Sequence, residues 1–376
     1  MMAVLGWQAL TVHANYGGNW TGLFRTGGTM PVPERLAAST FRNRHPIGYD
    51  GQFYRLLAHD PFLWQGTAAY LDDALLRSRR ILVPLAAWVL ACGRQGAIDG
   101  AYVLVVGGFV WLGTYWLGRI MVREGHQAAL GLLFLAVPAT LVAMDSMTVD
   151  VALAALTVGF VWQLPTGRER GLWLILAAAA LVRETGLALA AACVATALAQ
   201  RDFRKALVRA TAVLPALAWY GYLHAVLPAG QIPIPHWIPQ LELGVLVRAL
   251  DPPRYPLLGA SVERIVRLLD SLALAAMMAA ATIGMVRIRV WPRAVGIALG
   301  LYVALLLLMT NPKFWIDPYG YSRSFAPILV LVLAGSARLG GRALAVASVL
   351  CVVADLRVLA EMETQVVGVA RWLGVG

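Results

Sequence analysis

The chain is poor in charge. Asp, Glu, Lys and Arg make up 14% of its 376 residues, while hydrophobic residues reach 60%; an ordinary soluble domain has about 25% charged residues. One soluble core cannot bury so large an apolar excess, because single cores stop growing near about 250–300 residues. The composition is that of a polytopic membrane protein. Cysteine is scarce as well: Cys92, Cys193 and Cys351 lie far apart in apolar segments, which excludes a disulfide framework or zinc-type spacing. The six histidines show no metal spacing such as HExxH, and neither a Walker loop nor a dinucleotide fingerprint occurs, which argues against a nucleotide-driven reaction. No internal repeat is apparent, which weakens a transporter built on inverted halves. The net charge is +11, but the basic residues punctuate the ends of apolar runs instead of forming a patch. That is a topology signal, and no nucleic-acid partner is expected.

What the sequence does have is a series of apolar runs. They predict helices near 98–118, 127–144, 147–164, 206–227, 266–286, 294–310, 324–337 and 343–359. Met1 to His13 is apolar but shorter than the roughly 17–25 residues of a span, which suggests a start that has lost upstream residues. Gly171 to Gln200 is too long for one crossing and carries Arg183-Glu184-Thr185-Gly186 at its midpoint; two short helices meeting there leave both flanking arginine clusters on one side. Ile81 to Ala91 is short and contains Pro84, so it reads as an in-plane or re-entrant helix. The expected fold is therefore all-α: a single transmembrane domain over 1–376 with about eleven transmembrane helices. Residues 14–97 form a long first extracytoplasmic loop containing in-plane helices, and 228–263 form a second. Arg119, Arg123, Arg168, Arg170, Arg201–Arg209, Arg287–Arg293, Arg338 and Arg342 fall in cytoplasmic loops under this topology.

The polar chemistry then gathers on the outer side, where ionisable groups at membrane depth usually mark a site or pathway. Asp50 heads Tyr49-Asp50-Gly51-Gln52-Phe53-Tyr54. It reads as a catalytic carboxylate, or as ordinary Asp-Gly turn chemistry, with Gln52 and Tyr54 as binding residues beside it. Asp145 and Asp150 are sugar or acceptor contacts, or caps of a helix beginning near Met147. Arg183 and Glu184 are a structural ion pair, or Arg183 binds phosphate through its planar fork. Arg323, two residues beyond Tyr321, invites the same comparison or snorkels to the interface. Arg79 and Arg80 contact substrate or lipid headgroups. The outer carboxylates supply oxygen ligands of the kind Mg²⁺ or Mn²⁺ takes, although nothing in the sequence requires a metal.

An apolar first helix, Tyr-Asp-Gly-Gln-Phe-Tyr with a later His-Asp-Pro, an Arg-Arg entry to a proline-bearing stretch, and Arg-Glu-Thr-Gly between two short helices together resemble the GT-C superfamily, polytopic glycosyltransferases that use polyprenyl-phosphate sugars. Bacterial mannosyltransferase-like proteins of cell-surface glycopolymer assembly are the nearest in pattern. The resemblance implies an inverting hexosyltransferase of the bacterial plasma membrane. It would take a polyprenyl-phosphate-linked sugar donor and a glycan or lipid acceptor, with its active site facing the periplasm or exterior. It also implies Asp50 as the base and arginines on the leaving phosphate. Where some branches of this superfamily have two acids one residue apart, the chain has Asp-Gly-Gln. Other classes stay open: a transporter or flippase of lipid-linked sugars, or a non-catalytic subunit of glycopolymer assembly.

Overall fold

The longest helix sets the scale of the fold. Gln95–Arg123 holds 29 residues, about 43 Å at 1.5 Å per residue, and has no proline to break it. Its buried face, which includes Ile98, Tyr102, Val106, Val110 and Leu117, recurs at helical spacing. The computed structural model describes residues 2–227, 244–251, 253–255, 259–309, 314–315 and 317–374. Most of the expected second loop, at 228–243, 252 and 256–258, lies outside the described residues. Among those described the chain is all-α, with one isolated bridge between Thr26 and Gly48.

Among the described residues four helices are long and apolar enough to cross a membrane: Gln95–Arg123, Phe203–Val226, Ala260–Val286 and Gly341–Glu361. A fifth arises if Ala128–Ala136 and Pro138–Ser146, bent by 63° at their junction, count as one span. The chain thus has membrane-protein character, but the expected eleven spans are corrected to four or five. The apolar runs between them do fold as helices. Asp150–Thr166, Glu184–Ala199, Arg293–Leu308 and Ala326–Leu339 are only 10–17 residues long, short of the ~20 that a 30 Å hydrocarbon core requires. Pro138 breaks the expected helix over 127–144 in two, whereas the extended backbone at Arg183 parts Glu169–Val182 from Leu187–Ala199 where the sequence places the break.

Gln95–Arg123 packs against Ala128–Ala136, Asp150–Gln163 and Leu82–Leu90; Ala260–Val286 packs against Gly341–Glu361; and Ala326–Ser336, buried along its whole length, packs against Asp150–Gln163. The polar first loop is clamped to this frame by Arg55, which is almost wholly buried. Its Nε donates to Asp99 Oδ1 at 2.7 Å and its Nη1 to Thr40 Oγ1 at 2.6 Å. His59 Nε2 lies 3.1 Å from the same carboxylate. Asp60 accepts the backbone N–H groups of Trp64 and Gln65, both at 2.9 Å, and so shapes the following turn.

The contact between Gln95–Arg123 and Ala128–Ala136 depends on two glycines. A Cβ on Gly131 would sit 2.7 Å from Gly118 N and 2.5 Å from Thr114 O, all backbone, whereas one on Gly108 meets nothing within 4 Å. Gly131→Val is therefore expected to cost about 1–3 kcal/mol by overpacking. Gly108→Ala, in the same helix system, is expected to stabilise by up to about 1 kcal/mol. Thermal unfolding of the purified variants checks the pair; equal melting temperatures would contradict the packing.

Candidate functional site

Asp50 stands at the head of the helix Gly51–His59 in helical backbone geometry, and its side chain makes no capping bond. The carboxylate is thus left to other partners, and it has two. Oδ1 receives Arg77 Nη2 at 2.9 Å, and Oδ2 receives Arg323 Nη2 in a short contact. Asp150, the first residue of Asp150–Gln163, is placed where the helix dipole favours an anion. It accepts Arg323 Nη1 at 3.0 Å on Oδ2 and Arg183 Nη1 on Oδ1. Arg183 Nη1 also donates to Ser324 Oγ at 2.9 Å. Asp50, Arg323, Asp150 and Arg183 therefore form one alternating chain of charge drawn from four elements, with Arg77 at its outer end.

Aromatic rings support it. Arg323 lies over Tyr49 at 5.1 Å, and Arg77 over Phe53 at 4.9 Å and Tyr54 at 5.8 Å. Tyr49 OH donates to Asp317 Oδ2 at 2.8 Å. Next to this chain Arg80 pairs with Glu184 (Nη2 to Oε1 2.8 Å) and donates to Tyr54 OH at 3.2 Å. Arg77 also grips Asp72 through both carboxylate oxygens, at 2.8 and 2.7 Å. The outer carboxylates are the accessible ones: the side chains of Asp72 and Glu184 are 43% and 36% exposed, against 2% for Asp150. Arg183 Nε and Arg323 Nε are buried without a hydrogen-bond partner.

Burial alone would raise the Asp50 carboxyl, but the Arg323 and Arg77 guanidiniums beside it hold it far below the usual carboxylate range. A general base works best with a pKa near the working pH, so Asp50 is a fixed anion with little basicity. Burial pushes the Asp317 carboxyl up, against the pull of Arg323.

The structure gathers Asp50, Asp150, Arg183, Arg323, Tyr54, Arg80 and Glu184. It does not bring the remaining candidates into that chain. Gln52 braces the loop, accepting Gly27 N–H at 3.1 Å and donating to Ile47 O at 2.9 Å. Tyr321 is buried and stacks on Trp315 at 5.9 Å. Arg79 lies over Tyr220 at 5.4 Å. Asp145 does not cap a helix: it falls in the last turn of Pro138–Ser146, where its Oδ2 receives Arg25 Nη1 at 2.6 Å and Tyr319 OH at 3.1 Å. The Asp-Gly turn is also revised. A Cβ on Gly51 would run into Ser146 O, so the glycine serves close backbone approach. Sequence reasoning gave no site role to Arg77, Arg25 or Asp317. Their partners lie 27, 120 and 268 residues away, and no local pattern signals such pairs.

The resemblance to the GT-C superfamily fails on architecture, since the four or five membrane-length helices among the described residues are far fewer than that fold requires. With it fall the hexosyltransferase activity and the inverting transfer from a polyprenyl-phosphate donor. Among the described residues no group of three or more His, Cys, Asp or Glu side chains could hold a metal ion; the cluster's carboxylates are engaged by guanidiniums instead. Family models, curated proteins and solved structures give no match to the chain.

Asp50→Asn removes the anion that Arg77 and Arg323 share. Breaking one partner of a buried pair costs about 3–5 kcal/mol, and a loss near the lower end is expected at pH 7 because Arg323 keeps Asp150. The folded carboxyl lies below its unfolded value of about 3.9, so the pair's stabilisation is fully present above that pH. It declines as the pH falls further, because the unfolded chain takes up the proton first. The gap between wild type and Asp50→Asn in chemical denaturation should thus be constant from pH 7 to about pH 5 and narrow below about pH 4. A gap independent of pH down to 3 would contradict the ion pairing.

Proposed function

We propose that the protein is a membrane binding protein for phosphate-bearing lipid headgroups, which enter between Arg77 and Arg80. The observation that carries this reading is the placement of those two arginines. Both flank Tyr54, and both are held by the carboxylates most able to swing out, Asp72 and Glu184. A phosphate exchanges for such carboxylates readily, because the guanidinium fork fits either group through paired hydrogen bonds. Arg323 and Arg183 stay neutralised by Asp50 and Asp150 and keep the inner wall fixed.

The reading includes a sidedness, with the cluster on the outer face of a bacterial plasma membrane. Supporting it, the cluster adjoins the start of Gln95–Arg123, where Tyr102 OH donates to Met147 O at 3.0 Å. The far end of that helix carries Arg119 and Arg123 over Trp162 at 5.1 and 5.2 Å, with Arg338 3.5 Å from Glu124. Arginines beside the short connections at that end fit the cytoplasmic side, and those of the long first loop fall outside the rule.

The test uses the full chain in phosphatidylcholine nanodiscs, with tryptophan fluorescence reporting titration by dioctanoyl phosphatidic acid or dioctanoylglycerol. The acid should bind at least tenfold more tightly than its phosphate-free counterpart. Arg80→Ala should weaken it by about 10–100-fold, the worth of a charge-assisted hydrogen bond, while Asp72→Asn, which frees Arg77, should not. Equal binding of the two lipids, or full affinity in a folded Arg80→Ala variant, would overturn the reading.

A further inference from the structure

A second feature lies apart from the arginine cluster. Asp355 sits on the membrane-length helix Gly341–Glu361 and is 2% exposed. Its Oδ1 is buried with no hydrogen-bond partner. Among the described residues no Arg, Lys or His forms an ion pair with it; nearby Arg357 is committed to Asp270 at 3.0 Å and to Glu361. Cys351, one turn away, is buried.

Asp355 lines a wide-open groove of about 430 Å³ between this helix and the bent Ala128–Ala136 and Pro138–Ser146 pair. The other walls are aliphatic, among them Leu130, Leu133, Leu141, Val352 and Leu359. The volume falls within the roughly 300–1,000 Å³ of small-molecule sites, which are mostly apolar with few polar anchors. Val352 and Leu359 are exposed, so the groove opens sideways on the surface available to hydrocarbon.

An acid alone in apolar surroundings avoids the cost of a bare charge by keeping its proton, and an amine that takes that proton leaves both groups charged and paired. We propose that this groove binds an apolar molecule bearing one amine, whose ammonium pairs with Asp355 while its chain lies along the leucines. An ammonium brings both a hydrogen-bond donor and the missing opposite charge. An alcohol brings only the donor, and a carboxylate or phosphate would be repelled. The lateral opening admits such a molecule from the bilayer without crossing the polar first loop.

The test treats the full chain in phosphatidylcholine nanodiscs with dicyclohexylcarbodiimide, which attacks carboxyl groups reachable from an apolar phase, and maps adducts by peptide mass spectrometry. Asp355 should be labelled, and N,N-dimethyldecylamine, a tertiary amine that forms no amide with the activated carboxyl, should protect it at concentrations at least tenfold below those at which decanol does. Leu133→Trp, which fills the groove and leaves the carboxyl in place, should abolish protection by the tertiary amine. Absence of label at Asp355, equal protection by amine and alcohol, or protection that persists in Leu133→Trp would each overturn the proposal.

Discussion

Arg323 holds the polar half of this molecule together. One guanidinium reaches Asp50 in the first loop and Asp150 at the start of a buried helix, joining segments separated by 273 and 173 residues in the chain. Taking four or more charges out of water costs several kcal/mol for each ion, and only mutual attraction with good geometry offsets it. The arrangement is all-or-none in consequence. Removing one member exposes its neighbours' charge in a dry place, whereas swapping the whole set for apolar groups of the same shape would cost little. Such a network is weak evidence of stability gained and stronger evidence of a site retained for binding.

The helical character of the chain was legible in the residues, and so were most of the charges that meet. Asp50 in the first loop, Arg183 at the midpoint of an apolar stretch, and Asp150 and Arg323 beside the ends of apolar runs stand out as ionisable groups, and the structure draws them into one chain of ion pairs. The number of crossings was not legible. Runs such as 294–310 and 324–337 lie within a few residues of the helices found, and Arg183 parts two short helices where the sequence places the break, but short runs were counted as crossings, whereas four or five of the described helices reach that length. The family resemblance rested on motifs in the first loop and between two short helices, and it fell with the count of crossings.

Pairings across long separations were equally out of reach. Arg25 meets Asp145 and Tyr49 meets Asp317 with no periodicity to announce either. Gln52 shows the reverse error: a polar residue two places from Asp50 looks like a ligand, yet both ends of its amide satisfy the backbone of its own loop. Tyr321 is separated from Arg323 by less than a helical turn, which carries the two side chains to different neighbours.

The close seat of Gly51 on the carbonyl of Ser146 has a kinetic corollary. It welds the start of the helix behind Asp50 to the segment that leads into Asp150, main chain against main chain. The two anions therefore keep their spacing, and opening the cluster to a ligand is left to rotation of the Asp72 and Glu184 side chains. Rotamer exchange of partly exposed side chains runs on the picosecond-to-nanosecond scale, while hinged domain closure takes microseconds to milliseconds. Admission of a headgroup would then be limited by its diffusion in the bilayer, and the protein would impose no slow gate.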